Sequence, residues 1–157
     1  MDFQLAAMTE EAAKTICSWS YEPPYDIYSF SPWETLAAEN RELADPRIRK
    51  SQYCAVVNEH RELCGFAQFF PLAGWLRLGL GMRPDLCGKG LGASFVRAIL
   101  AEAHKRKAPA DQIDLEVLPW NERAIRVYEK CGFVLEQQYE RMTPLGPALV
   151  HCMVYRG

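Results

Sequence analysis

The spacing of apolar and polar positions marks out the elements before any motif is considered. Residues 3–7 read as a short first strand. Thr9 follows and can cap a helix whose first turn carries Glu10 and Glu11, where the positive end of the peptide dipoles favours acids. That helix is expected to run to about Trp19, with the Pro23-Pro24 pair as its breaker. Ser31-Pro32-Trp33-Glu34 reads as a second helix start. Ser31 stands as the cap, Pro32 at the first helical position and Glu34 reaches back, while Asp45-Pro46 is expected to end the segment. Residues 52–57 and 63–70 are rich in Val, Phe and Tyr and read as a hairpin around Asn58-Glu59-His60.

Residues 75–82 form a further strand, in which Trp75, Arg77, Gly79 and Gly81 alternate with Leu76, Leu78, Leu80 and Met82. From Gly90 the period changes. Leu91, Phe95, Ala98, Ile99 and Ala103 recur at helical spacing to about Arg106. Ile113, Leu115 and Val117 then alternate with Asp114 and Glu116, as a strand requires. Asn121 can cap a helix burying Ala124, Ile125 and Tyr128 that stops at Gly132. Two last strands, residues 133–141 and 149–155, flank a turn at residues 144–147. The predicted order is β-α-α-β-β-β-α-β-α-β-β, a mixed α/β chain.

With 157 residues and no repeat or long linker, the chain is expected to be one domain over residues 1–157, since domains run to roughly 100–200 residues. Hydrophobic residues at 49% and charged residues at 24% argue against a disordered, collagen-like or membrane-embedded chain. The longest apolar stretch, residues 66–76, is interrupted by Gln68, Pro71 and Gly74 and falls short of the ~20 residues a spanning helix needs. No basic segment precedes an apolar run at the N-terminus, so no signal peptide is read and a cytoplasmic location is expected. The 18 basic and 20 acidic residues leave a net charge of −2, without the positive field of a nucleic-acid binder. The only basic run, Lys105-Arg106-Lys107, falls at a predicted helix C-terminus, where the peptide dipoles favour cations. Cys17, Cys54, Cys64, Cys87, Cys131 and Cys152 show neither a C-x-x-C pair nor zinc-type spacing with His60, His104 or His151. Buried thiols and no metal site are the expectation.

The chemistry concentrates at Leu-Gly-Met-Arg-Pro-Asp-Leu-Cys-Gly-Lys-Gly-Leu-Gly, the junction of residues 80–92 between a strand and a helix. Gly88, Gly90 and Gly92 let the backbone bend and a ligand approach closely, and the first N–H groups of the helix lack internal partners. Such a turn suits an anion such as a phosphate. The spacing is neither that of a dinucleotide-binding fingerprint nor that of a Walker loop.

Cys87-Gly88-Lys89-Gly90-Leu91-Gly92 resembles the [QR]-x-x-G-x-[GA] motif of the GNAT acetyltransferase superfamily. The run from Asn121 through Ala124 and Tyr128 to Gly132-Phe133 is similar to that family's N-x-x-A-x-x-x-Y-x-x-x-G-F element. The resemblance is strong over residues 75–133. It implies the GNAT fold: a mixed central sheet of about seven strands, splayed between the fourth and fifth near Met82 and Val117, flanked by about four helices. It also implies acetyl-CoA as cosubstrate, with Leu80, Met82, Cys87, Gly88, Lys89, Gly90, Leu91, Gly92, Asn121, Ala124, Tyr128 and Lys130 as its contacts. Cys87 departs from the family's Gln or Arg.

By the same resemblance Tyr128 is the acid that protonates the departing thiolate, and the Met82 N–H polarises the thioester carbonyl. The segment Leu115-Glu116-Val117 followed by Asn121 is similar to that of the ribosomal-protein N-terminal acetyltransferases, which makes Glu116 the candidate base. A salt-bridged strand glutamate is the competing reading of Glu116, and a core-packed ring that of Tyr128. The acceptor segment of this family is here unusually aromatic, with Trp19, Tyr21, Tyr25, Tyr28 and Trp33 beside Glu22. Aromatic faces and carboxylates suit a cationic amine, though the same rings can equally pack into a core. The expected activity is direct acetyl transfer from acetyl-CoA to a primary amine, of a small molecule or of a peptide or protein. A non-catalytic acyl-CoA sensor of the same fold is the alternative. Neither nucleic acid nor membrane is an expected partner, and monomer and homodimer both stay open.

Overall fold

A computed structural model describes residues 1–157. Its strands are β1 (Gln4–Ala7), β2 (Tyr53–Val57), β3 (Leu63–Leu72), β4 (Trp75–Met82), β5 (Gln112–Val117), β6 (Phe133–Thr143) and β7 (Gly146–Tyr155). Its helices are α1 (Glu10–Cys17), α2 (Trp33–Glu39), α3 (Pro46–Gln52), α4 (Gly92–Arg106) and α5 (Glu122–Lys130). The seven strands are ordered β1-β2-β3-β4-β5-β7-β6, with β4 and β5 parallel. The chain divides into two compact units, Met1–Gln68 with Leu80–Lys89, and Phe69–Gly79 with Gly90–Gly157.

In the first unit, β1 and β2 pair antiparallel from Gln4↔Val57 to Ala7↔Cys54, and β2 pairs antiparallel with β3. Thr9 caps α1 as its position predicts, accepting a hydrogen bond from the Ala12 N–H at 3.0 Å. The second helix departs from expectation. Pro32, not Ser31, is the N-cap of α2, and no side chain caps it. α2 also ends early, because Asn40 adopts the left-handed conformation (φ 52°) and Arg41 N–H closes back on Leu36 C=O at 3.0 Å. Asp45-Pro46, expected as a stop, is instead a start. Asp45 caps α3 by accepting from Arg47 N–H, and Pro46 holds the first position, where its missing N–H costs nothing. The core of this unit gathers Ile16, Leu36, Leu43 and Tyr53, with Trp19, Phe30, Trp33 and Phe66 packed against it.

In the second unit, α4 buries Phe95, Val96, Ile99, Leu100 and Ala103; of the stripe read from the sequence, Phe95, Ile99 and Ala103 are buried, while Leu91 and Ala98 are only partly covered. The helix starts at Gly92, two residues beyond the change of period. Each large side chain in that stripe contributes about 1.5–3 kcal/mol by leaving water. The last turn holds His104, Lys105 and Arg106, and the Arg106 guanidinium lies 4.5 Å from the Phe69 ring centroid. The β4–β5 register runs from Trp75↔Gln112 to Leu78↔Leu115, while β5 also pairs antiparallel with β7 and β7 with β6. Gly132 (φ 101°) turns the chain from α5 into β6, with Cys131 N–H held by Val127 and Tyr128 carbonyls. None of the six thiols is in a disulfide, and five are buried. No helix is long and apolar enough to cross a membrane.

Candidate active site

The end of β4 is held in place by side chains. A Cβ on Gly81 would run into the Phe66 ring, so only glycine lets β4 lie this close to β3. The Tyr21 hydroxyl donates to the Met82 carbonyl at 2.7 Å. Burial, with the Cys87 thiol nearby, pushes the Tyr21 phenol well above its ordinary pKa, so it stays a donor. The Cys87 thiol lies 3.7 Å from the same carbonyl and 3.6 Å from that of Arg83. Arg83 closes the corner: its N–H donates to the Cys64 carbonyl at 2.8 Å, and its guanidinium reaches the Leu63 carbonyl and Asp85.

Beyond Cys87 the chain makes the turn its glycines foreshadow. Gly88 (φ 74°) and Gly90 (φ 77°) both adopt the left-handed conformation that costs other residues roughly 1–2 kcal/mol. A Cβ on Gly92 would sit 2.9 Å from a Val127 methyl, so glycine is what brings the first turn of α4 against α5. A second tie is the Cys131 thiol, which donates to the Ala93 carbonyl at 3.5 Å. No side chain caps the 15-residue helix α4. Its first N–H groups therefore face no side-chain oxygen of their own, and open space surrounds the Gly90 Cα. This donor set fits an anionic group such as a pyrophosphate.

α5 carries Asn121, Ala124, Tyr128 and Lys130 in one run. The buried Asn121 caps the helix, its Oδ1 accepting from Ala124 N–H at 3.3 Å. Tyr128 is half-buried and packs edge-on to Phe133 with ring centroids 5.9 Å apart. Phe133 continues to Tyr155 and Tyr155 to His104 in the same edge-on manner. Lys89 and Lys130 are exposed.

Glu116 lies in a charged cluster on β4, β5 and β6 that pattern reading did not assemble. Asp114 is buried, and Arg77 grips it bidentately at 3.0 and 2.7 Å. The hydrogen bond to Asp114 holds the Arg77 guanidinium charged even more firmly than usual. The Glu116 carboxylate receives Arg77 Nη1 at 3.3 Å, Arg141 Nε at 2.8 Å and the Tyr139 hydroxyl. Burial and then the bond to Glu116 raise the Tyr139 pKa, and the Cys152 thiol donates to Asp114 at 3.4 Å. A signal for Arg77 and Asp114 did exist. Each is a lone charge beside residues that the alternation assigns to a core, and such charges are buried only when paired.

The aromatic segment divides. Trp19 and Trp33 pack against the core of the first unit, and Lys14 stands 5.5 Å from the Trp33 ring centroid. Tyr21 serves the Met82 carbonyl. Tyr25 and Tyr28 bound a short 3-10 turn behind the cis Pro23–Pro24 bond, and Tyr28 and Glu22 are exposed.

Comparison with known proteins places the chain in a family. The acetyltransferase (GNAT) family matches residues 13–133. A kanamycin resistance protein of Rhizobium radiobacter is 47% identical over 62 residues, which span 40% of this chain and 55% of that protein. The chain thus matches about half the length of that relative. A chimera of the spermidine N-acetyltransferase SpeG from Vibrio cholerae and hSSAT superposes with a TM-score of 0.79 at 21% identity, covering 99% of this chain and 95% of the other. The aminoglycoside acetyltransferase AAC(6')-Ib, in complex with ribostamycin and coenzyme A, gives 0.74 at 24% identity, covering 99% and 93%. These likenesses extend over the whole sheet and carry the fold. The family match includes the glycine turn, Glu116 and α5, and on it the chain belongs to the acetyltransferase (GNAT) family.

Proposed function

We propose that the chain transfers the acetyl group of acetyl-CoA directly to a primary amine on a small polycationic acceptor, within a ternary complex. The observation that carries this reading is the uncapped start of α4 behind two left-handed glycines, a backbone donor set with no side chain of its own to satisfy it. In this reading the N–H groups of residues 88–92 hold the pyrophosphate, Lys89 and Lys130 meet the outer phosphates, and Leu80, Asn121 and Ala124 line the pantetheine arm. Because these contacts come mainly from the backbone, Cys87 in place of Gln or Arg leaves them available. Acetyl-CoA supplies the activated thioester.

The chain's own groups have two protons to manage. An amine with pKa near ~10.4 is neutral in about one molecule in 2,500 at pH 7, which costs ~4.6 kcal/mol to correct. Glu116 takes that proton, directly or through water, and Tyr128 protonates the departing thiolate. The Met82 N–H stabilises the oxyanion, and the Tyr21 bond to the Met82 carbonyl supports its orientation. Small amines are favoured over peptides as acceptors by the relatives: kanamycin resistance, spermidine acetylation and a ribostamycin complex all concern small molecules with several amines.

The test is acetyl-CoA-dependent release of free thiol against a panel of spermidine, kanamycin, ribostamycin and a lysine peptide. Turnover with a polyamine or amino sugar, reduced about 100-fold or more in Tyr128→Phe, is the expected result for a general acid. Turnover with the peptide alone overturns the acceptor class. Acetyl-CoA binding without turnover on any amine overturns transfer in favour of a sensor.

A further inference from the structure

β5 presents two carboxylates on one face, and the structure treats them differently. Asp114, with its side chain 4% exposed, has both oxygens committed to Arg77. Glu116, two residues on, has partners of unequal commitment. Arg77 reaches it with one remaining nitrogen at 3.3 Å and is 20% exposed, fixed by its bidentate grip on Asp114. Arg141 meets it through Nε at 2.8 Å from the edge strand β6, and its side chain is 51% exposed. The Arg141 guanidinium also lies 6.0 Å from the centroid of the Tyr139 ring, whose hydroxyl donates to the same Glu116 carboxylate.

A carboxylate beside an aromatic face is a recognition set for an organic cation. Here the cation in that set is the chain's own guanidinium. Arg77, Arg141, Asp114 and Glu116 together are neutral, and with Arg141 swung away the remaining three carry a single negative charge. We propose that Arg141 is a displaceable occupant of a cation site formed by Glu116 and Tyr139, and that a protonated amine of the acceptor enters by taking its place. This rests on the reading of Glu116 as a group that faces the acceptor amine. The exchange is eased because the Arg141 side chain is half-exposed, and one cation replaces another on the same, mostly buried carboxylate. Arg141 then sets a threshold. A monoamine competes poorly with the tethered guanidinium, whereas a polyamine or amino sugar gains contacts elsewhere that Arg141 cannot match.

The experiment is calorimetric titration with spermidine, at low and at physiological salt, of the wild-type chain, Arg141→Gln, Arg141→Lys and Glu116→Gln, each checked for an intact thermal transition. Arg141→Gln is expected to bind spermidine about two- to fivefold more tightly at low salt. Its affinity is also expected to fall more steeply with salt, since the variant gains a cation where the wild type exchanges one. Arg141→Lys should fall between the two, and Glu116→Gln should weaken binding. In wild-type protein the Arg141 Nε resonance should shift on saturation with spermidine. If Glu116→Gln weakens binding but Arg141→Gln does not tighten it, displacement is overturned and the reading of Glu116 stands. An unmoved Arg141 resonance at saturation overturns displacement too. If Glu116→Gln binds spermidine as the wild type does, the reading of Glu116 falls, and the inference with it.

Discussion

The glycine turn ahead of α4 and the charged cluster on β4, β5 and β6 are made in opposite ways. The turn uses backbone. Its donors are peptide N–H groups, aimed by two left-handed glycines and by the contact of Gly92 with Val127. Every part of it lies within a few residues or on the next helix. The cluster uses side chains drawn from positions as far apart as Arg77 and Arg141, and each is fixed only by another. Backbone donors do not depend on side-chain identity but admit no added Cβ where, as at Gly92, a neighbour would stand 2.9 Å away. A side-chain site is the reverse, exposed to every loss of a partner.

The largest effect is expected from breaking the cluster at its buried end. Asp114→Ala leaves Arg77 mostly buried without its main partner and should cost about 3–5 kcal/mol in urea unfolding. A loss under about 1 kcal/mol would mean that Glu116 alone satisfies Arg77, so the cluster is not interdependent. Next is the turn. Gly92→Val forces Val127 and α5 away and should cost about 1–3 kcal/mol, with a loss of acetyl-CoA affinity beyond the loss of stability. If affinity is kept, the turn is not the anion site. Asn121→Ala removes the cap of α5 and should cost about 1 kcal/mol, read from the same unfolding curve.

The smallest effect at neutral pH belongs to neither region. Burial, and then Glu42 and Glu34, push the Cys17 thiol from its ordinary 9.0 to about 11. Above pH ~9 the unfolded chain therefore loses this proton first, binds fewer protons than the native state, and stability falls as pH rises towards 11. Cys64, Cys131 and Cys152 are shifted the same way by burial. Cys17→Ser should flatten that decline, measured as unfolding free energy between pH 8 and 10.

Much of the fold was legible because its determinants are local. Thr9 and Asn121 cap helices by their own side chains, and the strands and α4 follow their hydrophobic period. The misread stretch, residues 31–46, is where one signal has two meanings. Proline ends a helix when it removes a needed N–H and begins one when that N–H has no partner to lose, and Pro46 behind Asp45 is the second case. The glycine turn and Asn121 could be placed from sequence for the same reason of locality. Tyr21 could not be paired with Met82, because it sits in an irregular loop far away in sequence, nor Tyr139 and Arg141 with Glu116, because strand pairing and register bring them together. Alternation along β5 says only that Glu116 leaves the apolar face. Which groups await it there is decided by β4 and β6.

The distribution of thiols gives the molecule a chemical handle. Five cysteines are buried, and Cys87, partly exposed, borders the glycine turn. A brief pulse of a maleimide dye at neutral pH should therefore mark one position, and anything lying along the turn should slow the marking. The thiol that stands in for Gln or Arg thus makes the protein its own occupancy gauge, legible by mass spectrometry without turnover and before any acceptor is known.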